Sequence, residues 1–411
     1  MNKQKKQIIN MSCRVLAIRK MKNMIFADVF NQGIKKQIKI SPSLYSRNNF
    51  IAGDYVSVVG KLDKNNRGEE LVEVKKIKII SKWLSNVPYG DIDKLHNSPL
   101  KIFKHSTYEE IYRVNTLRKS IRTFFDEKGF LEVQTPIILN KYNGGKSFPV
   151  YSHYLNEKIG FNRTTMEERM QAIVGVGFDK IFQIGQTFRS EKERVNLECY
   201  SSTINLNNAK VLIKEMMSFI IKDLCKTGLP KSNNINLIIK KRWKQIDFFD
   251  GIEKVIGIDR KFLYFPDQKK ISKLIQMNIG IDKDCSLETL SDKLGMIIAK
   301  KYDCPIMINH FPSWCSPLYK KNDEYTLERT MVYYSTQTKP FDMGMQENDL
   351  KVFEQGLSRQ KNNSINSPKT ESESELKDII SAGLPPMFGL GMNIDRIFKI
   401  WGLNYGIDNY K

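Results

Sequence analysis

The stretch GLPPMFGLGMNIDRIF, residues 383–398, places Gly389 and Gly391 one residue apart and follows them with Asp395 and Arg396. Bare backbone beside an arginine points to a close ligand, because a planar guanidinium stacks on rings and forks onto oxyanions as lysine cannot. A dinucleotide-binding turn is excluded, since nothing after Arg396 supplies the second half of a βαβ unit. A second run of this character, TFRSEKERV at 187–195, carries Arg189, Glu191 and Arg194. Taken singly, each group has an ordinary structural reading: a buried arginine as a core ion pair, Glu191 as a solvated loop charge.

The chain has 411 residues, 41% of them hydrophobic, enough for two domains, since single cores rarely grow past ~250 residues. The net charge of +21 is uneven. Residues 1–100 hold 19 Lys/Arg against 8 Asp/Glu, a surplus of 19 − 8 = 11, which points to a partner rich in phosphates. A general abundance of Lys, Asn and Ile raises the charge throughout as well. No apolar run approaches the ~20 residues of a membrane span, and MNKQKKQ leads on without a signal-peptide core, so a cytoplasmic address is expected. Six scattered cysteines with no CxxC spacing suggest neither a disulfide framework nor a zinc site.

The elements that must position these residues are visible as changes of period. CRVLAIRK, MIFADVF, KKQIKIS, DYVSVVGKL and LVEVKKIKII, separated by turn signals, predict five short strands and a Greek-key barrel of the oligonucleotide-binding type. Such barrels hold single strands with basic grooves and aromatic platforms. Arg14, Arg19 and Lys22 are candidates for phosphates and Phe26 and Phe30 for stacking, with barrel core the competing reading of both phenylalanines. A polar hinge follows, and the period turns helical from 106 to 130, with Ile111, Val114, Leu117, Ile121, Phe124 and Phe125 as an apolar stripe. FLEVQTPII reads as a strand broken by Pro136, and 181–206 as strand, charged loop, strand. Helices are expected at 208–227 and 286–302, a buried strand at CPIMINHF, and a polar insertion without core residues at 356–374. The fold class is α+β: barrel at 1–90, hinge at 91–107, and a domain at 108–411 built on an antiparallel sheet flanked by helices.

The helix with FLEVQTP, the strand-loop-strand with FRSE, and the terminal GLGMNIDRI resemble, in order, the three motifs of the class II aminoacyl-tRNA synthetases. With the barrel included, the resemblance covers nearly the whole chain and is to the subclass that charges lysine, aspartate and asparagine. It implies an enzyme using ATP and Mg2+, a tRNA partner read by the barrel, an amino-acid substrate, and a homodimer formed through the first motif. Carried over by position, Arg189 matches the arginine contacting the α-phosphate and the amino-acid carboxylate, and Glu191 the residue reading the adenine amino group. Arg194 lies in the loop that closes over the phosphates, Arg396 matches the arginine that packs on adenine and reaches the γ-phosphate, and Gly389 and Gly391 let the strand approach the nucleotide.

Local matches favour the lysyl branch: residues 53–88 follow its barrel, and FPSWCSPLYK resembles its P-x-x-x-SPLAK segment. FNRTTMEERM aligns Arg163 and Glu167 with the segment whose Glu holds the α-ammonium group. The departures cluster in the substrate pocket. Thr203 and Asn205 stand where the family has the Glu and Tyr that bind the ε-ammonium group, and Cys199 replaces the phenylalanine that stacks on adenine. The metal-binding stretch E-I-x-N-x-x-x-E-L-N-D appears as KPFDMGMQENDL, which leaves Lys339 and Gln346 at the two carboxylate positions. A two-residue deletion instead makes Asp342 and Glu347 the magnesium ligands. The alternative function is a paralogue that activates another amino acid, aspartate, asparagine or a lysine derivative, or a tRNA-binding or regulatory protein without catalysis.

Overall fold

The computed structural model describes residues 7–65, 68–94, 100, 103, 105–141, 147–189, 192–226, 243–266, 270, 273–274, 286–334, 338–363 and 372–400. Two compact units are present, one reaching to Val114 and the other spanning Asn115–Asn404. Of the expected hinge at 91–107, residues 95–99, 101–102 and 104 lie outside the described residues.

In the first unit, β1 (Ile8–Met21), β2 (Met24–Asn31), β3 (Ile34–Ile40), β4 (Tyr55–Lys64) and β5 (Glu70–Ser81) close in the order β1-β2-β3-β5-β4. Only the β3–β5 pair is parallel. The alternation seen in the sequence becomes the two sides of the wall. Met11, Cys13, Val15, Ile25, Ala27, Val29, Ile38, Ile40, Val56 and Val58 fill the interior. Phe26 and Phe30 fall between these positions and stand outside that core, half-buried. Across β1 and β2, Arg19 faces Phe26 and Arg14 faces Phe30. Arg19 pairs with Asp28 at 2.9 Å, and Lys22 is exposed in the connecting turn. Arg14 donates to the Gly53 carbonyl at 2.6 Å, with its guanidinium 5.2 Å from the ring centres of Tyr55 and Phe103.

The second unit is built on an eight-stranded sheet. Its strands are β6 (Leu131–Glu132), β10 (Lys180–Arg189), β11 (Lys192–Ser201), β12 (Lys244–Asp247), β13 (Ile306–Asn309), β14 (Arg329–Tyr334), β15 (Thr338–Met345) and β16 (Phe388–Asn393), in the order β12-β13-β14-β15-β16-β11-β10-β6. The central run from β13 to β10 is antiparallel throughout. Strands β7 (Ile138–Leu139), β8 (Pro149–Ser152) and β9 (Glu157–Asn162) form a separate small sheet. Helices Leu206–Cys225 and Leu287–Ala299 lie close to the two predicted spans. The fold is α+β.

The 356–374 stretch differs from its expectation. Helix Leu350–Asn363 runs into it, and Leu357 packs with Phe353, Leu376 and Ile380 against the Met170 and Tyr200 core. Its few apolar residues are spaced one per turn, a stripe that a short polar window hides.

The stripe on helix His105–Glu127 is largely buried within the chain itself. Val114, Leu117, Ile121, Phe124 and Phe125 are buried, whereas Ile111 is 53% exposed. Phe125 stacks on Phe182 of β10 with centroids 4.9 Å apart. The competing reading, an ordinary core-facing helix, accounts for these five residues.

None of the five described cysteines forms a disulfide. Among the described residues no helix is long and apolar enough to cross a membrane. Because Phe125 is fully enclosed between helix and sheet, Phe125→Ala should destabilise the second unit by about 3–5 kcal/mol. Denaturant unfolding of the two proteins measures this, and a midpoint unchanged at equal slope would contradict the packing described.

Candidate active site

The strand register assembles one polar face at the centre of the sheet. Gln183, Glu198, Gly391 and Asp342 lie directly opposite one another across β10, β11, β16 and β15. One row away lie Tyr200, Gly389, Gly344 and Arg329, and on the other side Asn196 faces Asn393. Side chains alternate along each strand, so these rows share a face, while Leu197, Cys199, Leu390 and Phe341 point to the opposite one.

Three guanidinium groups gather beside this face. Burial lowers the pKa of Arg194, and the charges of Arg189 and Arg396 lower it further, so all three are within electrostatic reach. Arg189 Nε donates to the Thr164 carbonyl at 3.4 Å, and its charge also acts on Glu198. Arg396 is set at the start of helix Ile394–Ile400. There Asn393 Oδ1 accepts from its backbone N–H at 2.9 Å, and its Nη1 donates to the Lys339 carbonyl at 2.6 Å. Like charges brought together from distant parts of the chain repel, and a bound polyanion relieves the repulsion.

Next to the arginines is an acidic recess. Glu198 is 6% exposed, its Oε2 has no hydrogen-bond partner among the described residues, and burial pushes its pKa up to about 7. Glu167, at the start of helix Glu167–Gly175, is raised as well, first by desolvation and then by Glu168, Glu198, Asp342 and Glu288. Gln171 bridges Glu167 and Gln346 at 3.1 Å each, leaving its own Oε1 without a partner among the described residues. Unfilled acceptors and crowded carboxylates make a place for a cationic donor such as an amino group. Two anion-seeking and cation-seeking regions therefore adjoin on one sheet.

A family model described as tRNA synthetases class II (D, K and N) matches residues 93–406. The chain belongs to this family. Its relatives include the lysine–tRNA ligase of Buchnera aphidicola subsp. Cinara cedri, 30% identical over 90% of this chain and 78% of the relative. The lysine–tRNA ligases of Saccharolobus solfataricus and Wigglesworthia glossinidia brevipalpis are each 26% identical, over 97% and 98% of this chain and 85% and 87% of theirs.

Several residues aligned with the synthetase family take other roles here. Arg163 is 2% exposed, with Nε on the Gln186 carbonyl at 2.6 Å and Nη1 on the Thr135 carbonyl at 2.8 Å. It ties the segment before Pro136 to β10 and positions the site rather than offering these donors to a substrate. Asn205 caps helix Leu206–Cys225 by accepting from the Asn208 N–H at 2.9 Å, and Thr203 turns back onto Ser201 at 3.2 Å. Both are local fold devices. A Cβ on Gly389 would stand 2.5 Å from Gln346 Nε2 and 2.6 Å from Tyr200, so this glycine makes room for protein side chains. Above Gly391 the nearest atom is the Asp342 carbonyl oxygen at 4.0 Å, which leaves its backbone open to a ligand. Glu191 lies outside the described residues.

The magnesium pairing read from the sequence does not fit. Asp342 accepts from Arg329 Nε at 2.9 Å, Arg329 Nη2 at 2.6 Å, Tyr319 at 3.2 Å and Lys339 at 3.4 Å. Burial would raise its pKa, but Arg329 and then Lys339 outweigh burial and hold it far below the usual carboxylate range. Glu347 is engaged locally, its Oε1 accepting the backbone N–H groups of Asn348 and Asp349. Among the described residues no three His, Cys, Asp or Glu side chains are gathered as a cation would require. Arg329, 1% exposed, was invisible in the sequence among 66 basic residues, as were Glu198, Gln171 and Tyr319. Pro340 inside a strand was the one available signal, since it marks a bulge.

Between pH about 4.5 and about 7 the folded chain keeps a proton on Glu198 that the unfolded chain has lost. This contribution to stability is complete below that window and disappears as pH rises through it. Glu198→Gln should flatten that part of the stability–pH curve in thermal or denaturant unfolding; parallel curves for the two proteins would contradict the assignment.

Proposed function

We propose that this chain is an aminoacyl-tRNA synthetase that activates an amino acid, lysine foremost, with ATP and transfers it to the 3′ end of its tRNA. The observation that carries this reading is the convergence of Arg189, Arg194 and Arg396 beside the open backbone of Gly391, next to the buried Glu198 and the half-buried Glu167. In this reading the α-phosphate lies on Arg189, Arg194 covers the phosphate chain, and Arg396 packs on the adenine and reaches the terminal phosphate. Glu191 reads the adenine amino group.

The amino acid presents its α-ammonium group to Glu167, with Glu198 beneath. Its carboxylate oxygen then lies in line to attack the α-phosphorus, forming an acyl phosphate and releasing pyrophosphate. A hydroxyl of the terminal ribose of tRNA attacks the acyl carbon, and AMP leaves. The protein's part is positioning and charge stabilisation. ATP is taken up with its own magnesium counterion, and no step is routed through an ion held by the chain.

The barrel is the proposed tRNA reader. Arg14, Arg19 and Lys22 serve phosphates, and Phe26 and Phe30, both outside the barrel core, serve unstacked bases. The proposed assembly is a cytoplasmic homodimer, supported by exposed apolar residues within and just after the first motif, Leu131, Ile137 and Ile138. A second reading, activation of an amino acid other than lysine, is favoured by Gln346 at a family carboxylate position and by the structural use of Thr203 and Asn205.

Amino-acid-dependent exchange of pyrophosphate into ATP, run across all twenty amino acids, decides between them. Exchange with lysine alone is the expected result, exchange with another amino acid supports the second reading, and silence with all of them overturns both. Alanine at Arg189 or Arg396 should lower exchange by roughly a hundredfold or more while tRNA binding persists. Lys22→Ala should do the reverse, weakening tRNA binding and reducing its salt slope by about one.

A further inference from the structure

Strand β15 has an irregularity at the edge of the polar face. Val332 of β14 lies opposite Phe341 and Tyr334 opposite Thr338, so β15 uses one residue more than β14 across this interval. The extra length falls at Lys339 and Pro340. A proline without an N–H is tolerated at such a bulge, and a bulge re-aims a side chain that alternation would send to the other face. Lys339 and Asp342, three apart in sequence, thus reach each other: Lys339 Nζ is 3.4 Å from Asp342 Oδ2 and 2.7 Å from Asp292 Oδ2.

We propose that this bulge installs the Lys339 ammonium group, together with the Arg329 guanidinium, as a fixed cation where a divalent ion would otherwise be held by the chain. Each cation faces carboxylates, Lys339 meeting Asp292 and Asp342, and Arg329 meeting Asp342 with Glu288 at 3.7 Å. Asp342 receives four donors, the full lone-pair capacity of a carboxylate. Of the Asp292 and Asp342 carboxylate oxygens, Asp292 Oδ1 alone is buried without a hydrogen-bond partner among the described residues, far short of the near-octahedral oxygen shell that magnesium demands. Added divalent charge would also meet two immobile positive groups. The same residue seats the nucleotide side of the site, because the Lys339 carbonyl accepts Arg396 Nη1 at 2.6 Å. One bulge therefore sets both the built-in cation and the direction of the arginine that the proposed function places on ATP; the inference rests on that reading only for its purpose in the reaction.

The test is paramagnetic resonance of Mn2+ added to the nucleotide-free, full-length chain. The wild type should leave Mn2+ free. Lys339→Glu, folded by circular dichroism, should immobilise one Mn2+ per chain in competition with Mg2+, and Lys339→Gln should immobilise none. Stoichiometric Mn2+ binding by the wild type that is lost in Asp342→Asn would overturn the proposal, and so would a folded Lys339→Glu that binds none. Should Lys339→Glu fail to fold, the wild-type and Asp342→Asn measurements still decide. No amino acid enters the measurement, so silence in pyrophosphate exchange would remove the proposed activity without touching this result.

Discussion

β16 lies between β11 and β15, and its antiparallel register with both is the constraint on which the site depends. That pairing sets Glu198, Gly391 and Asp342 in one row and Tyr200, Gly389 and Gly344 in the next. A slip of one residue would turn every one of these side chains to the apolar side of the sheet. The register is secured from the other face, where Leu197, Cys199, Leu390, Met392, Phe341 and Met343 are all buried. The chemistry is thus held in place by hydrophobic contacts on the side of the sheet that takes no part in it.

On that scaffold, charge is arranged in two different ways. Around Arg329, Asp342, Lys339 and Asp292, cations and anions neutralise one another at hydrogen-bond distance. Removing Asp342 from this partly buried set would leave the buried Arg329 guanidinium short of its main partner, which is costly. Around Arg189, Arg194 and Arg396, and again around Glu167 and Glu198, like charges are left facing one another. A satisfied network stiffens a fold, and an unsatisfied one invites a ligand of opposite sign. The face of the sheet contains both, side by side.

The barrel follows the same economy of residues. Its interior is aliphatic, and its wall carries arginines opposite phenylalanines, Arg19 with Phe26 and Arg14 with Phe30. Arg14 and Arg19 already have partners in the Gly53 carbonyl and Asp28. Such partners hold the guanidinium planes in fixed directions while leaving Lys22 exposed for a long-range attraction to phosphate.

Much of this protein was legible without coordinates. Alternating Val and Ile between NQG, AGD and KNNRGEE turns defined the barrel strands, because a period of two has only one way to bury a face. The order of three motifs and the paired glycines pointed to a nucleotide beside Arg189 and Arg396, since residue type and spacing suffice for a charge pattern. Three things belonged to the tertiary structure alone. Whether Phe26 faces the core or the outside depended on which parity the barrel closes with, and whether Asn205 lines a pocket or caps a helix depended on where the helix begins. The third is the partner of Asp342. Among 66 basic residues nothing local distinguishes Arg329, and only the folding of β14 against a bulged β15 brings its charge and that of Lys339 to one carboxylate. Coulomb interactions of this kind fall off with distance and ignore sequence separation, so they exist only once the chain has closed on itself.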